Sequence, residues 1–391
     1  MRSGHEIVDA DRHVIEPIDM WAERLPARWR HHAPRLVYSD RSETLVQRVA
    51  RLGATDGTVP LPPELFIGEA RAQHQLEEAA RICIARQSIQ RMHHLRASSH
   101  PAGQVGEMDR AGVDLAFLLP THGLYVTSVD DMDPALSAAF AQAWNNWIHD
   151  FVAHAPDRLQ PVALMPRHDV DDMVAEVERI ASFGWTALTL RPNPVAGRTV
   201  GDPALRPFWE AVVHHDLAVA FHEGTHARTR TVGYDRFHSR FGMHACSHPM
   251  EAQMAFLSLL EGGVLERHPT LRVGFLEAGA GWLPYWLWRL DHVEWRQLKG
   301  EVAGAVRMPP SEYFRRQCWV AVEPDEPGLS LVAECVGADR LLLGTDFPHL
   351  DHEDTMLDEI LGGSTGLSDD VLPGLLGANA RAFYFGPSAR R

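Results

Sequence analysis

Asp11 and His13 stand two residues apart at the end of the apolar run that opens Ile7-Val8. On an extended backbone such residues share a face, so a carboxylate and an imidazole leave this segment together. That combination is what a divalent metal takes as ligands. Glu16 follows three residues after His13, before Pro17, as a further ligand or as a partner that orients His13.

Later apolar runs end in a similar way. Val113–Leu119 is closed by Pro120-Thr121-His122, and Thr186–Leu190 by Arg191. Leu217–Phe221 runs into His222-Glu223, Leu271–Leu276 into Glu277, Cys318–Val322 into Glu323, and Arg340–Gly344 into Thr345-Asp346. These are metal-ligand and acid-base residue types. Arg191 has the forked guanidinium that matches a substrate carboxylate, with a structural ion pair as its plain alternative. His248, in Ser247-His248-Pro249, is a ligand or simply the start of a helix. Trp282, Trp286 and Trp288 are expected to pack a helix.

The elements that must position these groups alternate. Helical patterns cover Pro134–Ala153, Asp169–Ser182 with acidic residues in its first turn, Asp202–His214 with Pro203 near its start, Pro249–Leu265 and Trp282–Leu298. Eight apolar strands alternating with helices are the signature of parallel βαβ units. They predict an α/β fold, a (β/α)8 barrel whose active site lies at the C-terminal strand ends. An open doubly wound sheet is the runner-up, but no GxGxxG follows a strand, and Gly279-Ala280-Gly281 lacks the spacing. The whole chain, 1–391, is expected to be a single domain. Its long insertion after the first strand, 18–107, is expected to be mostly helical, with Glu69–Leu95 one helix, and to serve as a lid or an oligomer contact.

Composition narrows the partners. The 391 residues carry a formal net charge of −15, with 45% apolar and 23% charged residues and no basic run longer than two. Nucleic acid and anionic membranes are therefore excluded as expected partners. Cys83, Cys246, Cys318 and Cys335 are scattered and form no CxxC pair, against a disulfide framework or a thiolate zinc site. The N-terminus lacks the apolar core of a signal peptide, and no run approaches the ~20 apolar residues that span a bilayer. A soluble, cytoplasmic homo-oligomer acting on a small molecule is expected.

The chain resembles the amidohydrolase-related branch of the amidohydrolase superfamily, metal-dependent barrels that include aminocarboxymuconate-semialdehyde and resorcylate decarboxylases. The matching segments are Asp9–Pro17, Met108–Asp114, Phe221–Gly224, Phe275–Pro284, Gly344–His349 and Asn379–Arg381. The resemblance implies that Asp11 and His13 occupy the first-strand ligand pair, His222 the fifth-strand histidine ligand, and Asp346 the last-strand aspartate. In those relatives the aspartate binds metal, Zn2+ or Mn2+, or holds a proton in transfer. One position departs: Glu277-Ala278-Gly279 stands where many relatives carry a catalytic His-Gly-Gly.

That departure drives the expected chemistry. Asp11, His13, His222 and Asp346 already satisfy one ion. Glu16, Glu277, His226 and His248 are then left over, and buried unpaired carboxylates are costly enough to call for a second cation. Mixed oxygen and nitrogen ligation suits iron or manganese. The expectation is a dinuclear centre, iron favoured over zinc or manganese, that uses O2 and a reductant to hydroxylate a small substrate, as some members of the branch do. Asp346 and Glu277 are its expected acid-base groups, with Arg191 holding a substrate carboxylic acid. The alternative is a zinc or manganese hydrolase or non-oxidative decarboxylase of a small organic acid, lactone or amide. A barrel that only binds ligand is disfavoured by so many functional groups at one mouth.

Overall fold

β1 (Val8–His13) is buried along its whole length, acidic residues included. In the computed structural model, which describes residues 2–38, 61–72, 76–224, 228–350 and 352–386, it begins a run of parallel strands. β1 pairs with β2 (Leu115–Leu119), and β2 with the first piece of β3, Leu159–Pro161. The second piece of β3, Ala163–Leu164, starts a further sheet through β4 (Ala187–Leu190), β5 (Ala218–Phe221), β6 (Arg272–Phe275), β7 (Cys318–Val322) and β8 (Leu341–Leu343). Strand order follows chain order throughout, as βαβ crossovers require.

The expected eight parallel strands are present, but their ladders do not form one continuous ring. The sheets part at Val162, and β1 meets the end of β8 through an isolated parallel bridge, Arg12 to Phe347. That junction is nevertheless tied. Asp346 N donates to Asp11 O at 2.8 Å and His13 N to Phe347 O at 2.7 Å. Asp9 accepts from Thr345 N at 3.0 Å and Thr345 Oγ1 at 2.6 Å. Gly344 is required here, because a Cβ at that position would lie 2.7 Å from Asp11 Cβ. The β1–β2 register also shifts between Asp9 and Arg12, a bulge that re-aims the strand end as bulges near active sites do.

Helices cover the outside and begin where their caps say they should. Asp133 accepts from Ala135 N ahead of α4 (Pro134–Val152), and Asp169 from the amides of Asp171 and Asp172 at the head of α5 (Val170–Ser182). Ser239 caps α7 (Arg240–Glu261), which follows α6 (Arg206–His214). α4 buries Phe140 and Trp144, with Phe140 edge-on to Trp21.

The expected insertion is helical in its second half: α1 (Glu78–Gln90), α2 (Met92–Ser98) and α3 (Pro101–Ala111). Its first half includes a small antiparallel sheet of Pro34–Val37, Glu64–Ile67 and Ala70–Arg71. The helix expected from Glu69 thus begins at Glu78, because Ala70–Arg71 pairs as a strand instead. Among the described residues no helix is long and apolar enough to cross a membrane.

Candidate metal centre

His13 at the end of β1 and His222 just after β5 are fully buried, and their Nε2 atoms face each other at 2.9 Å. Each ring is held from behind by a carbonyl. His13 Nδ1 reaches Pro120 O at 3.0 Å, and His222 Nδ1 reaches Glu223 O at 2.7 Å. A carbonyl only accepts, so both Nδ1 atoms carry the proton and, in the neutral rings, both Nε2 atoms present lone pairs. Burial pushes both imidazoles below their usual range, which keeps them neutral. Two lone pairs this close repel unless a cation lies between them. The donor set fits a divalent metal.

Carboxylates complete the cluster. Asp11 Oδ1 lies 3.3 Å from His13 Nε2 and 3.6 Å from His222 Nε2. Burial raises the Asp11 pKa, opposed by the nearby His222 and His349 rings. Asp346 Oδ1 is 3.4 Å from His13 Nε2, and Glu277 Oε2 is 2.9 Å from His222 Nε2. One donor atom from each of His13, His222, Glu277 and Asp346 falls within 4.8 Å of the other three. Glu277 and Asp346 both take positive φ, 47° and 48°, in the turns that follow β6 and β8. Such a conformation costs of order 1–2 kcal/mol in a residue with a Cβ, and here it turns both carboxylates into the mouth.

A cavity of about 300 Å3 opens on this cluster, lined among others by Tyr125, His222, Arg240, His244, His248 and His349. Ile84, Ser88 and Leu95 of α1 and α2 also reach it. His248 Nε2 lies 3.3 Å from Glu277 Oε1, and His244, His248 and Glu277 form a second group of ligand types beside the first. Asp346 accepts from His349 Nδ1 at 2.7 Å, and His349 Nε2 meets Thr121 Oγ1 at 2.8 Å. Burial pushes the Tyr125 phenol up to about 12, partly offset by Arg191, so it stays a proton donor.

Two expected site residues are placed elsewhere. Glu16 is not at the cluster: its Oε1 accepts from Thr121 N (3.1 Å), Gly123 N (3.0 Å) and Trp144 Nε1 (2.8 Å), and its Oε2 from His122 N (2.8 Å). An anion that already satisfies four donors anchors the turn after β2 and has no call for a metal. Arg191, expected to hold a substrate carboxylate, does not line the cavity, and its Nε and Nη2 donors are engaged internally, while Nη1 has no hydrogen-bond partner. It pairs with Glu223, donates to Gly224 O at 2.7 Å and to Asn193 Oδ1 at 3.2 Å. It braces the turn that carries His222. His226 lies outside the described residues. Glu323 is exposed beyond β7.

Sequence reasoning missed Arg240, His244, Tyr125 and His349. Arg240, His244 and His248 recur every four residues and so share one face of α7, a spacing that could have been read. His349, three residues after Asp346, was equally legible. Tyr125 sits in a short helix, His122–Val126, with no spacing to announce it.

The amidohydrolase family matches residues 9–386. The chain belongs to that family. It is 27% identical over 289 residues to 2-amino-3-carboxymuconate-6-semialdehyde decarboxylase of Dictyostelium discoideum, covering 72% of this chain and 76% of that protein. It is 25% identical over 256 residues to gamma-resorcylate decarboxylase of Rhizobium radiobacter, covering 63% and 76%. Among solved structures, 5-carboxyvanillate decarboxylase of Novosphingobium aromaticivorans, which holds bound manganese, shares the fold at TM-score 0.69 and 17% identity over 98% of both chains.

These relatives correct the oxygenase expectation. Both sequence relatives are decarboxylases by name, so hydroxylation, iron, O2 and a reductant are withdrawn. The structure shows why the carboxylate count misled. Glu16 was counted there, yet it is spent on backbone and indole donors, whereas Glu277 stays at the cluster.

Proposed function

We propose that this chain is a metal-dependent, non-oxidative decarboxylase of a small unsaturated or aromatic carboxylic acid. The observation that carries it is the pair of opposed lone pairs on His13 and His222, ringed by Asp11, Glu277 and Asp346, in a protein similar to two named decarboxylases. One ion is our choice of count, supported by the withdrawal of Glu16 from the cluster to backbone and indole donors. Manganese is our choice, supported by the mixed oxygen and nitrogen donors and by the manganese of the neighbouring fold.

A divalent ion here supplies a Lewis acid that draws electron density from substrate oxygens. The chain's own residues do the rest. Arg240, at the cavity wall, takes the place first given to Arg191 and holds the departing carboxylate. Tyr125 donates to a substrate oxygen beside it. Asp346 takes a solvent proton at Oδ1 through Thr121 and His349, whose Nδ1 faces that oxygen, and delivers it to the carbon that bears the carboxylate. The C–C bond then breaks, CO2 leaves, and the bond's electron pair returns to the substrate's conjugated system, while the delivered proton stays on the carbon. Ile84 and Ser88 of α1 and Leu95 of α2, at the cavity wall, would help to keep water from the reacting carbon.

His222→Ala tests this directly. It is expected to lose metal and CO2 release together; CO2 release that survives without metal would overturn the site.

A further inference from the structure

A second set of ligand-type side chains lies outside the barrel mouth. His94, on α2, and His352 and Asp354, in the segment after β8, bring one donor atom each within 4.8 Å of the others. They belong to a separate cavity of about 330 Å3 that shares no lining residue with the first. His94 and His352 are buried, whereas the Asp354 side chain is 70% exposed, which gives an ion a way in.

The hydrogen bonds fix the chemistry. His352 Nδ1 reaches Thr345 O at 2.8 Å, so Nδ1 carries the proton and Nε2 of the neutral ring presents a lone pair. That lone pair faces Asp354 Oδ1, itself an acceptor, at 3.3 Å. The same oxygen lies 3.3 Å from His94 Nε2. Other charges nearby have partners. Arg12 is tied to Gln104 at 2.7 Å and Asp9 at 3.3 Å with its guanidinium over Phe347, Glu353 pairs with Arg91, and Glu107 with Arg110.

We propose that His94, His352 and Asp354 form a second metal site, taking one Zn2+ or similar divalent transition ion with water in its remaining position. Two imidazoles and one carboxylate with an open position suit that ion. The site is a staple. It would join α2, which lends Leu95 to the catalytic cavity, to the segment that carries Asp346 and His349. His352 reaches back to the carbonyl of Thr345, immediately before Asp346, so an ion here firms the placement of that aspartate.

The probe is zinc alone, titrated into metal-free protein and read by bound equivalents and melting temperature. Asp354→Asn is exposed and leaves the buried rings in place, so it is expected to fold. Wild type should bind one equivalent more than Asp354→Asn, and zinc should raise the melting point further in wild type than in the variant. His222→Ala, which removes the mouth site, should retain this equivalent, and His222→Ala/Asp354→Asn should lose it. That pair separates failure of this site from failure of the mouth site. Equal zinc binding and equal melting shifts with and without Asp354→Asn overturn the proposal.

Discussion

Glu16→Gln distinguishes an anchor from a ligand. The carboxylate accepts three hydrogen bonds at Oε1 and one at Oε2, from the amides of Thr121, His122 and Gly123 and the indole of Trp144. A glutamine keeps its oxygen at the Oε1 position and satisfies three donors. Its NH2 then faces the His122 amide, donor against donor. One charge-assisted bond is lost, worth about 1.5–3 kcal/mol, so a destabilisation of roughly 2–3 kcal/mol is expected. Unfolding entropy of about 2.1 cal/mol/K per residue gives about 0.8 kcal/mol/K over the 391 residues, hence a melting point lower by about 3 °C. Scanning calorimetry measures that shift, and elemental analysis of the same sample measures bound metal. Metal content should be unchanged. Lost metal with an unshifted melting point would refute the anchor and restore Glu16 as a ligand.

Other perturbations separate roles that the cavity places side by side. His349→Gln should keep the metal but lower kcat by about 10²–10⁴-fold, the usual worth of a positioned proton-transfer group; unaltered kcat removes His349 from the relay. Arg240→Ala should raise KM for a carboxylate substrate with little change in melting point, whereas Arg191→Met should lower the melting point, because it strands Glu223 in the interior; equal effects on KM contradict the assignment. Glu251, in α7, is pushed up to about 7 by burial while its Oε1 accepts from Val232 N at 2.6 Å. The native chain therefore binds a proton that the unfolded chain releases between pH 4.5 and about 7, so stability falls as pH rises through that window and levels off above it. Glu251→Gln should flatten that slope and be more stable above pH 7, by up to about 3 kcal/mol; urea unfolding at pH 5 and pH 8 reads both.

The cluster of candidate ligands was legible because each lies at or just beyond a hydrophobic strand end, where period-two alternation and parallel packing bring side chains to one mouth. Asp11, His13, His222, Glu277 and Asp346 all converge as that logic requires. What sequence could not convey was how charge is spent. Glu16 and Arg191 have the right types at the right ends, yet each finds partners within its own neighbourhood, from backbone amides and Trp144 for Glu16 to Glu223 for Arg191. Counting carboxylates without those partners inflated the charge at the mouth and pointed to a second ion and oxygen chemistry. The closed barrel was likewise read from alternation, which does not record the break at Val162. Arg240 and His244 lie on a helix face, away from any strand end that would mark them as mouth residues.

The most direct measurement follows CO2 and O2 together. Manganese-loaded protein is incubated with a panel of ortho-hydroxylated aromatic acids and unsaturated amino- or keto-acids, under air and under argon. CO2 release at the same rate in both atmospheres, with the proton-bearing product and no O2 uptake, is the predicted result. Turnover that consumes O2 and stops under argon, or a product that retains its carboxyl group, contradicts decarboxylation at this site.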